Sequence, residues 1–498
     1  MKKRMILTAI IIGVFFEHGS NATELSTSRS DLSEKMKDSI VYLEISKQSY
    51  NLTEPWKHRN ISESWACASA VGEYKVITTA ESVANHTFLK VLRHGQNDFV
   101  GAKLLVVDYE ANLCLIQLDP NELRTPLKPL IFDEEYKKGA EVDYYWLPSD
   151  NRMYNGRGYL DRVNVQQTRT SHAQYLCYVV TGASQRTEAG EIYCVGSAPI
   201  GIACWSNTNK EVGLIPSETI NRFLRSFEDG SYEGFGKVGF EITELLNPAT
   251  RSFLKMPENL ENGVYVTDVY NLGTGCQTIK RNDVILTIDG NAIDSYGRFI
   301  HPKYESLSFD YLITSKSAGN NISFEVWRDG EKTELHTKVK GFKASEMLIP
   351  YHEFDRQPEY IVIAGFVLQK LTYEYLTEFG RDTAGEAPSH LYHYYRDFAF
   401  KPTDERSDII VLSYVIPTPN NLGYTGLGQM VVSKLNGIAI SSIEDIAAAQ
   451  KLNPESRFDV IEFELDSPVA VIEREQIQTD NMFVQQNYGI TKLLNINN

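Results

Sequence analysis

The sequence predicts a mostly β protein, in which a barrel or sandwich of short strands precedes two smaller units of strands and helices. From Ile40 to Trp205, short apolar or alternating runs are separated by turn residues, as expected for the strands of a barrel or sandwich. Beyond Gly236, an alternating run ends in Asp289-Gly290, and a similar run in the last third of the chain ends in Asn436-Gly437. This repetition indicates that the two smaller units share one plan.

Length and composition agree with several globular domains. The chain has 498 residues, which at about 100 to 200 residues per domain corresponds to two to four domains. Hydrophobic residues make up 42% and charged residues 23%, as in ordinary soluble domains. Lys and Arg total 49 against 65 Asp and Glu, a formal net charge of −16. This acidity disfavours binding to nucleic acid or to anionic lipid, and we expect neither as a partner.

The N-terminus predicts export. Basic residues at positions 2–4 precede an apolar run from Met5 to Phe16, and Ser20 and Ala22 supply the small residues that a signal peptidase needs. We therefore expect a signal peptide over 1–22 and a short segment over 23–36. No later apolar stretch reaches the roughly 20 residues of a membrane span, so we expect a periplasmic or secreted chain without one.

The first unit is expected over 37–230 and ends in a helix. The strand runs of this unit include Ile40–Ile45, Ala68–Val71, Val76–Thr79, Leu104–Val107 and Leu113–Leu118. The helix is predicted over Ser217–Phe227, because Ser217 is a good N-cap and apolar residues recur at helical spacing. Gly-rich, polar residues 228–234 then indicate a linker.

The second unit is expected over 231–345 and the third over 346–498. In the second, strands are predicted over Gly263–Val269 and over 280–288, before the Asp-Gly turn. In the third, Ile409–Val415 and Met430–Leu435 repeat that pair, and a helix capped by Ser442 is predicted over Ile443–Leu452. The Tyr-rich stretch from 380 to 404 is expected to be a surface excursion between strands.

Six cysteines leave two alternatives open. Most lie inside apolar runs, where a cysteine is a small buried hydrophobe, but an exported chain also favours disulfides. Cys194 and Cys204 are the pair for which a bridge is the first to test. No Cys-x-x-Cys pair and no cluster of histidines occurs, so we expect no metal site and no cofactor.

These features resemble the Deg/HtrA family of exported serine proteases, in which a chymotrypsin-like double β-barrel precedes one or two PDZ domains. The family places its catalytic histidine in a Thr-Asn-Ala-His-Val segment, and the run from Thr78 to Val83 has Glu81 at that position. The family's catalytic aspartate opens an Asp-Leu-Ala-Val-Leu-like strand, and Asn112 occupies that place before Leu113. Two triad positions therefore hold other residue types.

The nucleophile position also lacks serine. The family's Gly-Ile strand and Ile-Pro-Ser motif match Gly201-Ile202 and Ile215-Pro216-Ser217, and counting back gives Glu188 at the nucleophile position. If the loop differs by one residue, that position is Thr187 or Ala189. A serine nucleophile needs an imidazole that takes its proton and a carboxylate that orients the imidazole.

The resemblance thus implies a catalytically inactive pseudoprotease that acts as a peptide-binding, scaffold or chaperone-like protein. The alternative is an active serine endopeptidase of envelope protein quality control whose triad lies in another frame, and a third possibility is a structural envelope component. Ser197 and His86 are expected to be an ordinary turn serine and an unrelated histidine. A hard-cation site built from Glu81, Asn112 and Glu188 is a further hypothesis.

The second and third units resemble PDZ domains of the same family. In the second, Lys237-Val238-Gly239-Phe240 occupies the place of the loop that binds a peptide's C-terminal carboxylate while the peptide adds to the sheet edge. The alternative is that these residues only begin a strand. The third resembles the second PDZ domain of plant members, which tends to serve assembly. Family members are often trimers or hexamers, so the resemblance implies a homo-oligomer. It also favours a bacterial exported protein.

Overall fold

The computed structural model describes residues 32–182, 189–228, 230, 234–380, 386–452, 454–465 and 469–496. The expected signal peptide and the positions Thr187 and Glu188 lie outside the described residues, as does most of the predicted linker. Within the described ranges, no helix is long and apolar enough to cross a membrane. The mostly β class is confirmed, with two closed barrels followed by two mixed units.

The first unit consists of two six-stranded barrels. The first barrel is closed in the order β1-β2-β3-β6-β5-β4 and the second in the order β10-β11-β12-β9-β8-β7. The strands of the two barrels are β1 (Ile40–Lys47), β2 (Ser62–Gly72), β3 (Lys75–Thr78), β4 (His86–Arg93), β5 (Val100–Asp108), β6 (Leu113–Leu118), β7 (Glu141–Trp146), β8 (Tyr154–Gln167), β9 (Gln174–Thr181), β10 (Ile192–Val195), β11 (Ala198–Ser206) and β12 (Glu211–Pro216). The chymotrypsin-like double barrel is therefore confirmed.

Alternate side chains of β1 belong to two different apolar clusters. Val41, Leu43 and Ile45 point into the core of the first barrel, whereas Ile40 and Tyr42 belong to a second apolar cluster shared with the other barrel. Successive side chains of a strand face opposite sides, so one strand serves two cores. The two barrels are therefore joined by apolar packing.

Two helices complete the first unit, α1 (Ala80–Val83) and α2 (Ser217–Glu228). The predicted helix after the second barrel begins at Ser217, whose hydroxyl donates to the carbonyl of Pro199 at 3.1 Å. Ile220 and Phe223 on its inner face are fully buried in the cluster between the barrels. The apolar residues that recur at helical spacing in the sequence therefore pack this helix against the barrels.

The second unit is a sheet with the order β13-β14-β15-β19-β20, and β16 pairs with β15. A separate hairpin, β17–β18, and two helices accompany it. Its elements are β13 (Phe240–Thr243), α3 (Pro248–Phe253), β14 (Val264–Val269), β15 (Val284–Ile288), β16 (Asn291–Ala292), β17 (Arg298–His301), β18 (Glu305–Ser308), α4 (Asp310–Thr314), β19 (Asn321–Arg328) and β20 (Glu331–Lys338). A 3₁₀ turn, Ala344–Glu346, leads to the third unit.

The third unit is a sheet with the order β27-β26-β24-β23-β22-β21-β28, and β25 pairs with β24. Its elements are β21 (Tyr360–Ile363), β22 (Phe366–Lys370), α5 (Tyr373–Thr377), α6 (Ser389–Phe398), β23 (Ile410–Val415), β24 (Met430–Leu435), β25 (Ile438–Ala439), α7 (Ile443–Lys451), β26 (Phe458–Phe463), β27 (Ala470–Glu473), α8 (Arg474–Tyr488) and β28 (Leu494–Asn495). The expected surface excursion thus contains α6, whose Leu391 is buried.

The strand orders of the two smaller units correspond. The path β13-β14-β15-β19-β20 matches β22-β23-β24-β26-β27, and the short strands β16 and β25 pair at equivalent places. The units differ at the outer strand. β13 is a sheet edge, whereas β21 covers the outer side of β22, with Ile361 opposite Leu368 and Ile363 opposite Phe366. The edge that remains open in the second unit is therefore already paired in the third.

The third unit is attached to the first barrel by a reciprocal pair of hydrogen bonds. The backbone N–H of Asn85 donates to the Asp355 carboxylate at 2.7 Å, and the N–H of Asp355 donates to the side-chain oxygen of Asn85 at 2.9 Å. The hydroxyl of Tyr109 donates to the same carboxylate. The side-chain amide of Gln357 donates to the carbonyl of Pro55 at 2.9 Å. These bonds position the third unit beside α1.

Candidate functional site

The residues that the sequence placed at two triad positions meet in space at the start of α1. Asn112 is almost fully buried, and its side-chain oxygen accepts a hydrogen bond from the backbone N–H of Glu81 at 2.8 Å. Its own carbonyl accepts from the N–H of Ala80 at 3.2 Å. Asn112 has φ of 54°, a left-handed conformation that asparagine tolerates better than most residues. The amide therefore fixes the turn that carries Glu81.

The Glu81 carboxylate is paired with a cation from the second barrel. A guanidinium nitrogen of Arg169 lies 3.6 Å from Glu81 Oε1, and the two side chains are 74% and 37% exposed. Such an exposed pair contributes at most about 1 kcal/mol to stability, because water screens it. The pair places a carboxylate and a guanidinium opposite each other across the cleft, and the carboxylate stands at the position of the family's catalytic histidine.

A cleft runs between the barrels beside this pair. Two adjoining cavities of about 380 and 310 Å³ share five lining residues, and we call their union the barrel cleft. The shared residues are Glu81, Arg169, Cys204, Trp205 and Ser206. Among the described residues that line the cleft, none is a histidine. A general base of the serine-protease kind is therefore absent from this part of the cleft wall.

Cys204 lies in the cleft beside another thiol. The Cys204 thiol donates a hydrogen bond to the carbonyl of Gly213 at 3.3 Å. The neighbouring Cys177 and burial raise the pKa of Cys204 well above its ordinary value. All six cysteines are unbridged, and Cys194 lies instead in the apolar cluster between the barrels. Of the two alternatives that the sequence left open, the structure therefore shows the free, mostly buried thiols, and Cys194 and Cys204, the first pair to test, form no bridge in it.

The chain that follows the nucleophile position is held by both barrels. The carbonyl of Ala189 accepts from the N–H of Cys67 in the first barrel at 2.9 Å, and the N–H of Gly190 donates to Ala203 in the second at 2.9 Å. Gly190 has φ of 80°, and a Cβ there would lie 2.0 Å from the Cys67 carbonyl oxygen. Glycine is therefore required here. Ser197, as expected, lies in the exposed turn between β10 and β11.

The second unit carries a groove at its open sheet edge. A cavity of about 460 Å³ lies between β13 and α4. Val238, Phe240 and Ile242 line one side of it, and Phe309 and Asp310 line the other. We call this cavity the second-unit groove. A strand edge facing a helix across an apolar groove suits an extended peptide.

Two N–H groups of the predicted carboxylate loop already have partners. The N–H of Lys237 donates to Lys340 at 3.0 Å and that of Gly239 donates to Thr274 at 2.9 Å. A Cβ at Gly239 would lie 2.7 Å from the carbonyl oxygens of Leu272 and Thr274, so only glycine fits. The loop is therefore held against residues 272–274, which follow β14, and against residue 340, which follows β20.

The side chain of Lys237 is turned toward the barrels. Its ammonium lies 2.9 Å from the carboxylate of Glu110, donates to the carbonyl of Phe342 at 2.7 Å and sits 4.0 Å over the Phe342 ring. The side chain is only 6% exposed. The positive charge of Lys237, within the predicted carboxylate loop, is therefore balanced by an acid that follows β5.

Two further titratable groups lie at this junction, and neither carries a sequence motif. Burial raises the pKa of Asp108 to about 6, although the N–H groups of Glu110 and Ala111 donate to its carboxylate at 2.7 and 2.9 Å. Burial lowers the pKa of His172 to about 3, and its ring packs 4.1 Å from that of Tyr351. His172 also lines the second-unit groove. The contact between His172 and Tyr351 joins residues far apart in sequence, so no local pattern signalled it.

Asp310 supplies an acid inside the groove. It begins α4, and burial raises its pKa. The hydroxyl of Ser308 donates to its carboxylate. A partly buried acid that lines a cavity is stabilised by an incoming hydrogen-bond donor or cation. The groove therefore combines an apolar wall with an acid that favours a ligand carrying a hydrogen-bond donor or a cation.

Comparisons with known proteins agree with the two barrels and the repeated units. A family model described as a PDZ domain matches residues 349–494. The chain is 28% identical to "Protease Do-like 2, chloroplastic" of Arabidopsis thaliana over 459 residues, which cover 90% of this chain and 73% of that one. It is 25% identical to "Protease Do-like 4, mitochondrial" of the same plant, over 80% of this chain and 73% of that one.

A relative of lower identity and a solved structure are also named as proteases of the DegP or HtrA type. The chain is 19% identical to "Serine protease DegP homolog" of Plasmodium falciparum over 82% of this chain and 57% of that one. Among solved structures, "HtrA-type protease AlgW with decapeptide" aligns with a TM-score of 0.48 and 17% identity, over 62% of this chain and 98% of that one. The two closed six-stranded barrels, the match to a PDZ domain model at residues 349–494 and the relatives named as Do-like proteases agree with the resemblance of this chain to Deg/HtrA-type proteases.

Proposed function

We propose that this Deg/HtrA-type chain does not cleave peptide bonds and acts as a peptide-binding, scaffold or chaperone-like protein. The observation that carries the proposal is the contact between Asn112 and Glu81, with Arg169 opposite the Glu81 carboxylate. Glu81 stands where the family resemblance places a histidine, and Asn112 stands where it places an aspartate. We also propose export of the chain, supported by its N-terminal pattern, and self-association, supported only by the resemblance.

The chemistry of the barrel cleft supports the loss of proteolysis. A serine mechanism needs one group that accepts the nucleophile's proton and then gives it to the leaving amine. Histidine is the side chain that most often performs both transfers, and none of the described residues that line the barrel cleft is a histidine. Cys204 is a poor substitute nucleophile, because its raised pKa keeps it as a thiol.

The second-unit groove supports the binding role. β13 is the edge of its sheet, so an extended peptide can add to it through backbone hydrogen bonds. Phe240 and Phe309 offer an apolar site for the last side chain of such a peptide. In the third unit β21 already occupies the outer side of β22. We therefore assign capture of C-terminal peptides to the second unit.

The first experiment is degradation of unfolded casein by the purified chain, run beside a fluorophosphonate label. We expect no cleavage and no label, and an active Deg/HtrA protease serves as the positive control. Cleavage that persists in Glu81→Ala would indicate contamination or a catalytic site elsewhere. Cleavage that is lost in Glu81→Ala would overturn the proposal, because a glutamate would then act in catalysis.

Peptide binding is tested by fluorescence anisotropy. A labelled decapeptide ending in an apolar residue is compared with the same peptide amidated at its C-terminus, and we expect only the free acid to bind. Ile242→Glu in β13 should weaken binding at least about tenfold, because it places a charge in the apolar groove. Ile438→Glu, on exposed β25 of the third unit, is the matched control and should change nothing. Equal binding of acid and amide would count against C-terminal capture.

A further inference from the structure

A histidine of the first unit lines the second-unit groove. His172 lies in the loop between β8 and β9, and it forms part of the groove wall together with Lys237 and Val238 of the predicted carboxylate loop. The Nε2 atom of its ring is buried and has no hydrogen-bond partner among the described residues. A buried polar atom without a partner costs free energy, so this nitrogen favours a ligand that supplies one.

The ring of His172 packs against three aromatic rings of the third unit. The distances between ring centroids are 4.1 Å to Tyr351, 5.8 Å to Tyr395 and 5.1 Å to Phe400. Contacts of this kind restrict the orientation of the imidazole in the absence of a ligand. Little ordering of this side chain therefore remains when a ligand binds, which favours affinity.

The same aromatic contacts lead from His172 to the carboxylate loop. The ring of Phe400 stacks on that of Tyr270 at 4.6 Å, and the N–H of Tyr270 donates to the carbonyl of Gly239 in the loop at 2.9 Å. Burial and the charge of Lys237 lower the pKa of His172 to about 3. The imidazole is therefore neutral at neutral pH, and a neutral imidazole has one N–H to donate.

We propose that His172 donates a hydrogen bond to the C-terminal carboxylate of a peptide in the second-unit groove, so that the first unit completes the binding site. This inference rests on the proposed binding role of the groove. In the tautomer that carries its proton on Nε2, the imidazole donates to one carboxylate oxygen while the carboxylate loop holds the same group. Hydrogen bonds to a charged acceptor are stronger than those to a neutral one, so the histidine selects peptides with a free C-terminus.

The test is fluorescence anisotropy of the labelled free-acid decapeptide with the full chain and three variants. His172→Phe keeps an aromatic ring but has no N–H to donate, and it should weaken binding about tenfold. His172→Gln carries a side-chain N–H that reaches the position of Nε2, and it should retain most of the affinity. Tyr395→Phe alters a ring that contacts His172 without lining the groove, and this matched control should bind as the unsubstituted chain does.

Urea denaturation of each variant ensures that affinities are compared between folded chains. Equal affinities of His172→Phe and the unsubstituted chain would overturn the proposal. An equal loss in His172→Gln and His172→Phe, or a similar loss in Tyr395→Phe, would also overturn it, because the packing of the rings would then account for the effect. If the unsubstituted chain binds no free-acid peptide, the binding role of the groove fails, and the role of His172 fails with it.

Discussion

The side-chain oxygen of Asn112 lies 2.8 Å from the backbone nitrogen of Glu81, so an amide at the family's aspartate position serves the backbone. Asn112→Ala should lower the free energy of unfolding by about 2 kcal/mol, because it removes a buried acceptor and puts a left-handed φ on alanine. Asn112→Asp keeps both the acceptor and the tolerance of positive φ, and should cost less. Urea denaturation followed by tryptophan fluorescence measures both. A larger loss for Asp than for Ala would contradict this account.

Glu110 neutralises Lys237 at the end of the second-unit groove. Glu110→Gln should free the Lys237 ammonium for a peptide's carboxylate and tighten binding of a free C-terminus several-fold. The peptide's carboxylate then no longer competes with the Glu110 carboxylate for the ammonium. The amidated peptide should show no gain, because it lacks the carboxylate. Anisotropy titrations of both peptides check this prediction, which rests on the proposed binding role. Equal tightening of both peptides would mean that the substitution acts by opening the groove.

Local sequence patterns predicted most strands, because alternation and turn residues are local properties. Asp289-Gly290 and Asn436-Gly437 have the positive φ values that their turns require. The contact between Lys237 and Glu110 could not be predicted, since it depends on how the second unit packs on the barrels. The sequence predicted no helix where α6 lies, because its many tyrosines resemble a polar loop until the third unit buries Leu391.

Asp108 should make the protein more stable in mild acid. Its pKa is about 6 in the folded state against an ordinary 3.8, so protonation favours the fold. This stability is complete below about pH 3.8 and is lost as the pH rises through 6, at most about 3 kcal/mol. Asp108→Asn should remove that dependence. Urea midpoints at pH 4.5 and 7.5 measure it, and an unchanged difference in the variant would exclude Asp108 as the cause.

His172 should act in the opposite direction. Its pKa is about 3 in the folded state against an ordinary 6.5, so the folded protein favours the neutral ring. The resulting stability is complete above pH 6.5 and is lost as the pH falls toward 3. His172→Phe keeps an aromatic ring beside Tyr351 and cannot take up a proton, so it should gain stability relative to the native chain at pH 4.5 more than at pH 8. An equal change at both pH values would show that packing alone is altered.

Asp310 should select the residue two places before the C-terminus of a bound peptide. Alternate side chains of an added strand face the groove, so when the last side chain lies against the stacked rings of Phe240 and Phe309, the side chain two places earlier lies along α4. Because burial raises the pKa of Asp310, a lysine or arginine there stabilises its charged form. Peptides that differ only at this place, with lysine, alanine or glutamate, should bind in that order of affinity. In Asp310→Asn the advantage of lysine over alanine should disappear while the alanine peptide still binds. If no peptide binds at all, the binding role itself fails, whereas binding without this order would refute only the role of Asp310.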